Sequence, residues 1–174
     1  MNSSHKFNFQ LAERFLEDWA DPPEDPLGEL SDFEMGWRCF CFEHNHKVFI
    51  EIGDAQKEVL LDPDICMMIE SNFPNEIAKL SQGQKIVITF SESWFIITLL
   101  PTDDRISCTL SKFGTSCWEK VFEFDRTHVL NTLRGFLQEV MQLAVDKGYI
   151  TLEEKEEFIS PAFASSTDAA VLSK

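Results

Sequence analysis

Tyrosine is nearly missing from this 174-residue chain: a single Tyr stands against 16 Phe and 4 Trp. Most of the aromatic area therefore comes without a hydroxyl to satisfy, and such rings belong in a core. Bases are scarce as well, 15 against 30 acids, leaving a formal net charge of −15. That balance argues against direct binding to DNA, RNA or anionic lipid, because phosphate affinity is built from Lys and Arg contacts that release counterions. No apolar run approaches the roughly 18 residues of a membrane span, and MNSSHKFNFQ lacks the apolar stretch of a secretory signal. The expectation is a cytoplasmic protein without membrane contact.

Catalytic signatures are missing too. There is no Gly-x-Ser-x-Gly elbow, and none of the seven glycines belongs to a phosphate-cradling loop. His5 and His128 have no acid or nucleophile at a telling spacing. The five cysteines, Cys39, Cys41, Cys66, Cys108 and Cys117, form an odd, scattered set that reads as free thiols, most of them within apolar runs. Cys39, Cys41, His44 and His46 fall within eight residues, but their spacing departs from zinc-site patterns, and alternation on a strand would point the two pairs to opposite sides. Gly148 through Glu154 imitates the second half of an EF-hand loop, yet the first half would place Leu143, Val145 and Lys147 where carboxylates are required. No metal, no cofactor and no enzymatic activity are therefore expected.

What is present is 44% hydrophobic residues, enough for one ordinary domain to bury a core. Phe7, Leu11, Phe15 and Trp19 recur every four residues and predict an N-terminal helix, assigned to 1–19. Residues 20–34 read as an acidic, Pro-rich linker. A single α+β domain is expected over 35–160, followed by a disordered tail, 161–174. Within the domain, MGWRCFCFEH and KVFIEIG read as strands about a His44-Asn45-His46 turn, with KEVLLD as a third. Residues 61–83 read as a middle helix capped by Asp62 and interrupted at Pro74. QKIVITF, SWFIITLLP, RISCTLS and WEKVFEF follow on short links, the pattern of an antiparallel meander. Asp125 caps a long helix over 126–147, ended by Gly148, and Thr151 with Glu154 forms a capping box for a last helix, LEEKEEFI. The expected fold is a mostly antiparallel sheet of six or seven strands, with a long C-terminal helix and a shorter middle helix packed on one face.

The acids are not spread evenly. From Glu13 through Glu34 there are nine acids and one base, Arg14. Glu13, Glu17, Asp18, Asp21, Glu24, Asp25, Glu29, Asp32 and Glu34, together with Asp103 and Asp104, are the candidate contacts for a basic protein partner, which a negative surface steers inward. Each of them also reads as part of a solvated face or flexible linker, the commoner role of such a residue. The four tryptophans are core anchors by default; one exposed beside the acids would be a binding hot spot.

Over roughly residues 35–150, the layout of GWRCFCF, KVFIEIG with EVLLDPD, KIVITFSES and FEFDRTHVLNTLRGFLQEV resembles small acidic bacterial immunity proteins. That resemblance implies an inhibitor that occludes a basic toxin or nucleic-acid-binding protein; it rests on layout and carries no binding residue over. The chain is also similar, more loosely, to type III secretion chaperones, which implies a chaperone or assembly factor. An enzyme with an unrecognised carboxylate site is the third reading.

Overall fold

The computed structural model describes residues 6–15, 21–114 and 117–164. The chain runs through β1 (Phe7–Arg14), α1 (Asp32–Glu43), β2 (His46–Ile52) and β3 (Ala55–Leu60). Two short helices follow, α2 (Cys66–Glu70) and α3 (Phe73–Ser81). A meander comes next, β4 (Ile86–Phe90), β5 (Phe95–Thr102), β6 (Arg105–Lys112) and β7 (Trp118–Asp125). The helices α4 (Arg126–Asp146) and α5 (Leu152–Phe163) complete it. All strand pairs are antiparallel, in the expected α+β architecture, but they are divided between two sheets, β1-β2-β3 and β4-β5-β6-β7.

Two expected elements exchange their types. The segment expected to be an N-terminal helix is strand β1 as far as it is described. Its Phe7 and Phe9 also fit a two-residue period, and pairing decides: Phe9 lies opposite Ile50 and Leu11 opposite Val48 of β2. The domain accordingly includes β1 and does not begin at residue 35. Trp19 lies outside the described residues, as does Ala20 at the start of the expected linker.

Conversely, MGWRCFCFEH is helical. Trp37, Phe40 and Cys41 form its buried stripe at helical spacing. Ser31 starts the helix with a capping box: its Oγ accepts from Glu34 N at 3.1 Å, and Glu34 Oε2 accepts from Ser31 N at 2.8 Å. The stretch 21–31 has no helix or strand, so the linker ends there and not at residue 34. His44-Asn45-His46 is accordingly a helix-to-strand junction rather than a hairpin turn.

The middle helix is broken at Ser71-Asn72, before Pro74, where Asn72 adopts a left-handed backbone (φ 75°) and Pro74 takes its place in the first turn of α3. Asp62, the expected cap, has an extended backbone (φ −114°, ψ 121°) immediately before Pro63. At the other end, α5 continues through Pro161 to Phe163, and residues 165–174 of the expected tail lie outside the described residues.

The two sheets meet through aromatic contacts. Phe7 of β1 lies 5.4 Å from Phe124 of β7, and the Gly53 turn between β2 and β3 lies directly against the Phe122 ring. Asp125 caps α4 by accepting from His128 N, and the helix buries Val129, Leu133, Phe136, Leu137, Val140 and Met141. It runs beside β1, with Phe136 5.4 Å from Phe9. Among the described residues no helix is long and apolar enough to cross a membrane.

Candidate functional site

The capping box at Ser31 and its twin at Thr151 start two helices whose first turns face each other. In the second box Thr151 Oγ1 accepts from Glu154 N at 3.1 Å, and Glu154 Oε2 accepts from Thr151 N at 2.8 Å. Phe33 of α1 and Phe158 of α5 meet with ring centroids 4.9 Å apart. Around that contact lies a groove of about 650 Å³ between α1, α5 and the start of α3. Phe33, Phe158 and Pro74 supply its apolar surface, while Asp32, Glu154 and Glu157 supply carboxylates. Asp32 and Glu157 are exposed.

The charge of this region is one-sided for a structural reason. From Asp21 through Glu34 there are six acids and no base. Helix α5 carries Glu153, Glu154, Glu156 and Glu157 with one base, Lys155. That base is 2% exposed and turns inward, its Nζ donating to Gln142 Oε1 of α4 at 2.8 Å and to Glu156 Oε1 at 3.2 Å. An ammonium buried with two oxygen partners answers the cost of taking it out of water, and it leaves the exposed side of α5 with acids and no base.

The acids singled out in the sequence divide among several places. Asp32 and Glu34 lie at the start of α1, Asp32 lining the groove and Glu34 committed to its cap. Asp21 lines a second pocket, beside Arg38, while Glu24 and Glu29 are exposed. Asp25 serves its own turn, accepting from Glu29 N and Leu30 N, each at 3.0 Å. Glu13 on β1 pairs with Lys47 at 3.4 Å, and its carboxyl is held below the usual range by its backbone hydrogen bond and then by that ammonium. Asp103 and Asp104 turn the β5–β6 hairpin, and Asp104 O accepts from Arg126 N where α4 begins. The Lys155 end of α5, beside the groove, meets α4 at Gln142, roughly 24 Å further along the helix axis, and these two acids do not line the groove. Glu17 and Asp18 lie outside the described residues.

Glu154 and Glu157 were not among the sequence candidates. Their signal was present in the run Glu153-Glu154-Lys155-Glu156-Glu157, but nothing local tells that Lys155 is buried.

The Cys39, Cys41, His44 and His46 set does not converge. Both cysteines are on α1, His44 stacks on Phe40 at 5.8 Å, and His46 Nδ1 is 2.8 Å from Ala12 O. Burial pushes the His44 imidazole below its ordinary pKa. Among the described residues no three His, Cys, Asp or Glu side chains are grouped so as to hold a metal ion. The EF-hand-like stretch is the end of α4, a left-handed Gly148 (φ 82°) and the Thr151 cap. Of the tryptophans, Trp37 is buried, Trp118 is half-buried, and Trp94 is 55% exposed beside Phe113 and away from the groove.

No protein-family model matches the chain, and neither a search of curated proteins nor one of solved structures finds a match.

Proposed function

We propose that this protein is a non-enzymatic binding module that presents the α1–α5 groove to a basic protein, acting as an immunity-type inhibitor that covers the cationic surface of a toxin or nucleic-acid-binding partner. The observation that carries the reading is the pairing of an aromatic floor with a rim of carboxylates on a side of the molecule whose one α5 base is turned inward. An Arg or Lys side chain matches both features. The aliphatic stem, and in Arg the planar head, packs on Phe33 and Phe158, while the donors reach Asp32 and Glu157. The −15 net charge supports the same partner by steering cations toward the molecule.

The test is binding of a fluorescent Arg/Lys-rich peptide to the full chain, followed by anisotropy at low and high salt. The double variant Asp32→Asn/Glu157→Gln is expected to weaken binding about tenfold, a change of about 1.4 kcal/mol. Asp103→Asn/Asp104→Asn removes the same formal charge elsewhere and is expected to leave affinity within about twofold, since distant exposed charges are screened. Equal losses in both variants would refute a defined groove, and salt-independent association would refute the electrostatic mechanism. The inhibitory role has its own test: co-expression is expected to rescue growth from a toxin encoded beside this gene, and absence of rescue would refute it.

A further inference from the structure

Among the described residues four strands stand at the edges of the two sheets, β1, β3, β4 and β7. An edge strand offers unpaired N–H and C=O groups to any other strand, and chains guard such edges with charge, proline or a bulge. Three of these edges are guarded. β1 carries Glu13 and Arg14 beside a break in its register, β3 carries Lys57 and Glu58, and β7 carries Glu119, Lys120 and Glu123. β4, the segment Ile86–Phe90, has no charge, no proline and an unbroken register with β5. Every second residue of β4 turns its N–H and C=O away from β5. Among the described residues neither a strand nor a loop backbone takes those groups up. Beside them runs an open groove of about 240 Å³, lined by Val87, Ile88 and Thr89 and, from the helices, by Met67 and Phe73. Val87 and Met67 are exposed along it.

We propose that β4 pairs with β4 of a second copy of this chain, antiparallel about a two-fold axis at Ile88, so that the two four-stranded sheets become one. The charge pattern selects the second copy. The segment runs from an exposed base, Lys85, to an exposed acid, Glu92, with no charge between them. Neither has an ion-pair partner among the described residues. An antiparallel copy centred on Ile88 sets Ile86 against Phe90, Val87 against Thr89 and Lys85 against Ser91, so each Lys85 comes beside Glu92 of the other copy. The contact is isologous, and both ion pairs form together. Val87 against Thr89 is a β-branched pair of the kind that stabilises antiparallel strands. Two molecules of net charge −15 repel each other, and at this edge each Glu92 meets a base instead of an acid. A ladder of five residues is about 17 Å long and falls short of the roughly 800 Å² per partner of a lasting complex, so the dimer is weak and reversible.

The experiment is sedimentation equilibrium of the full chain from micromolar to millimolar concentration at physiological salt, with hydrogen exchange of residues 84–92 read by mass spectrometry in the same samples. The mass is expected to rise from that of one chain toward that of two, and exchange within β4 to slow as it does. Val87→Lys guards the edge at a position already open to solvent, and it is expected to weaken the dimer about tenfold with an unchanged circular dichroism spectrum. Glu92→Lys sets base against base and is expected to weaken it as well; adding Lys85→Glu to that variant is expected to restore the affinity of the parent. The mass of one chain at every concentration would overturn the proposal, as would a dimer indifferent to Val87→Lys. So would a double variant no tighter than Glu92→Lys, or a chain that stays monomeric while an extended peptide protects β4.

Discussion

Gly36 and Gly135 both stand inside helices, α1 and α4, and replacing each by Ala is expected to move stability in opposite directions. In an open helical position Ala is better than Gly by about 0.5–1 kcal/mol, because Gly surrenders more backbone entropy on folding. Gly135 is such a position, since a Cβ there meets nothing within 4 Å. Gly135→Ala is therefore expected to stabilise by that amount. A Cβ at Gly36 overlaps the backbone oxygen of Tyr149 and comes within 3.3 Å of Ile150 Cγ2. A backbone oxygen between two packed helices cannot swing aside, so α1 has to back away. Overpacking of this kind costs up to about 3 kcal/mol, and subtracting the helical gain of about 1 leaves a net loss of about 2. For a chain of this size that loss lowers the melting temperature by about 4–8 °C. Urea unfolding followed by far-ultraviolet circular dichroism measures both variants on one scale. A Gly36→Ala protein as stable as its parent would refute the close approach of α1 to Tyr149. The same displacement is expected to draw Phe33 away from Phe158 and to weaken peptide binding in the groove.

Tyr149 is the sole tyrosine, so its ionisation can be followed by ultraviolet absorbance without interference from another phenol. Its hydroxyl donates to the Glu43 carboxylate, which pushes its pKa up to about 12; Glu43→Gln is expected to bring the midpoint back toward the ordinary phenol range, and an unchanged midpoint would remove that contact. Asp64 is 5% exposed, and burial raises its carboxyl pKa despite the 2.5 Å hydrogen bond from Ser93. The folded state therefore holds the proton more tightly than the unfolded one, so the Asp64 contribution to stability is full below about pH 4 and is lost as pH rises through the folded pKa. Asp64→Asn is expected to flatten this part of the stability profile in urea melts across the acid range; a profile parallel to that of the parent would contradict it.

Both segments whose type differs from expectation fit two periods. In FNFQLAERF, Phe7, Leu11 and Phe15 satisfy a helix, while Phe7, Phe9 and Leu11 satisfy a strand. In GWRCFCFEH, Trp37, Cys39 and Cys41 alternate, while Trp37, Phe40 and Cys41 satisfy a helix. For the second, the deciding sign was local: Ser31 followed three residues later by Glu34 is the same box that marked α5 at Thr151 and Glu154. For the first there was no local sign, because β1 is a strand through pairing with residues almost forty positions away.

The sequence alone determined what depends on near neighbours: the meander from β4 to β7, the long α4 with its Asp125 cap, the box at Thr151, and the excess of acid over base. Short links, caps and hydrophobic periods act over a few residues and are written in order along the chain. Tertiary structure alone decided that β1 joins β2, that Asp32 faces Glu154 and Glu157 across Phe33 and Phe158, and that Lys155 is withdrawn from that surface. Those outcomes depend on which segments meet in space, where burial of apolar rings and pairing of buried polar groups outweigh local preference.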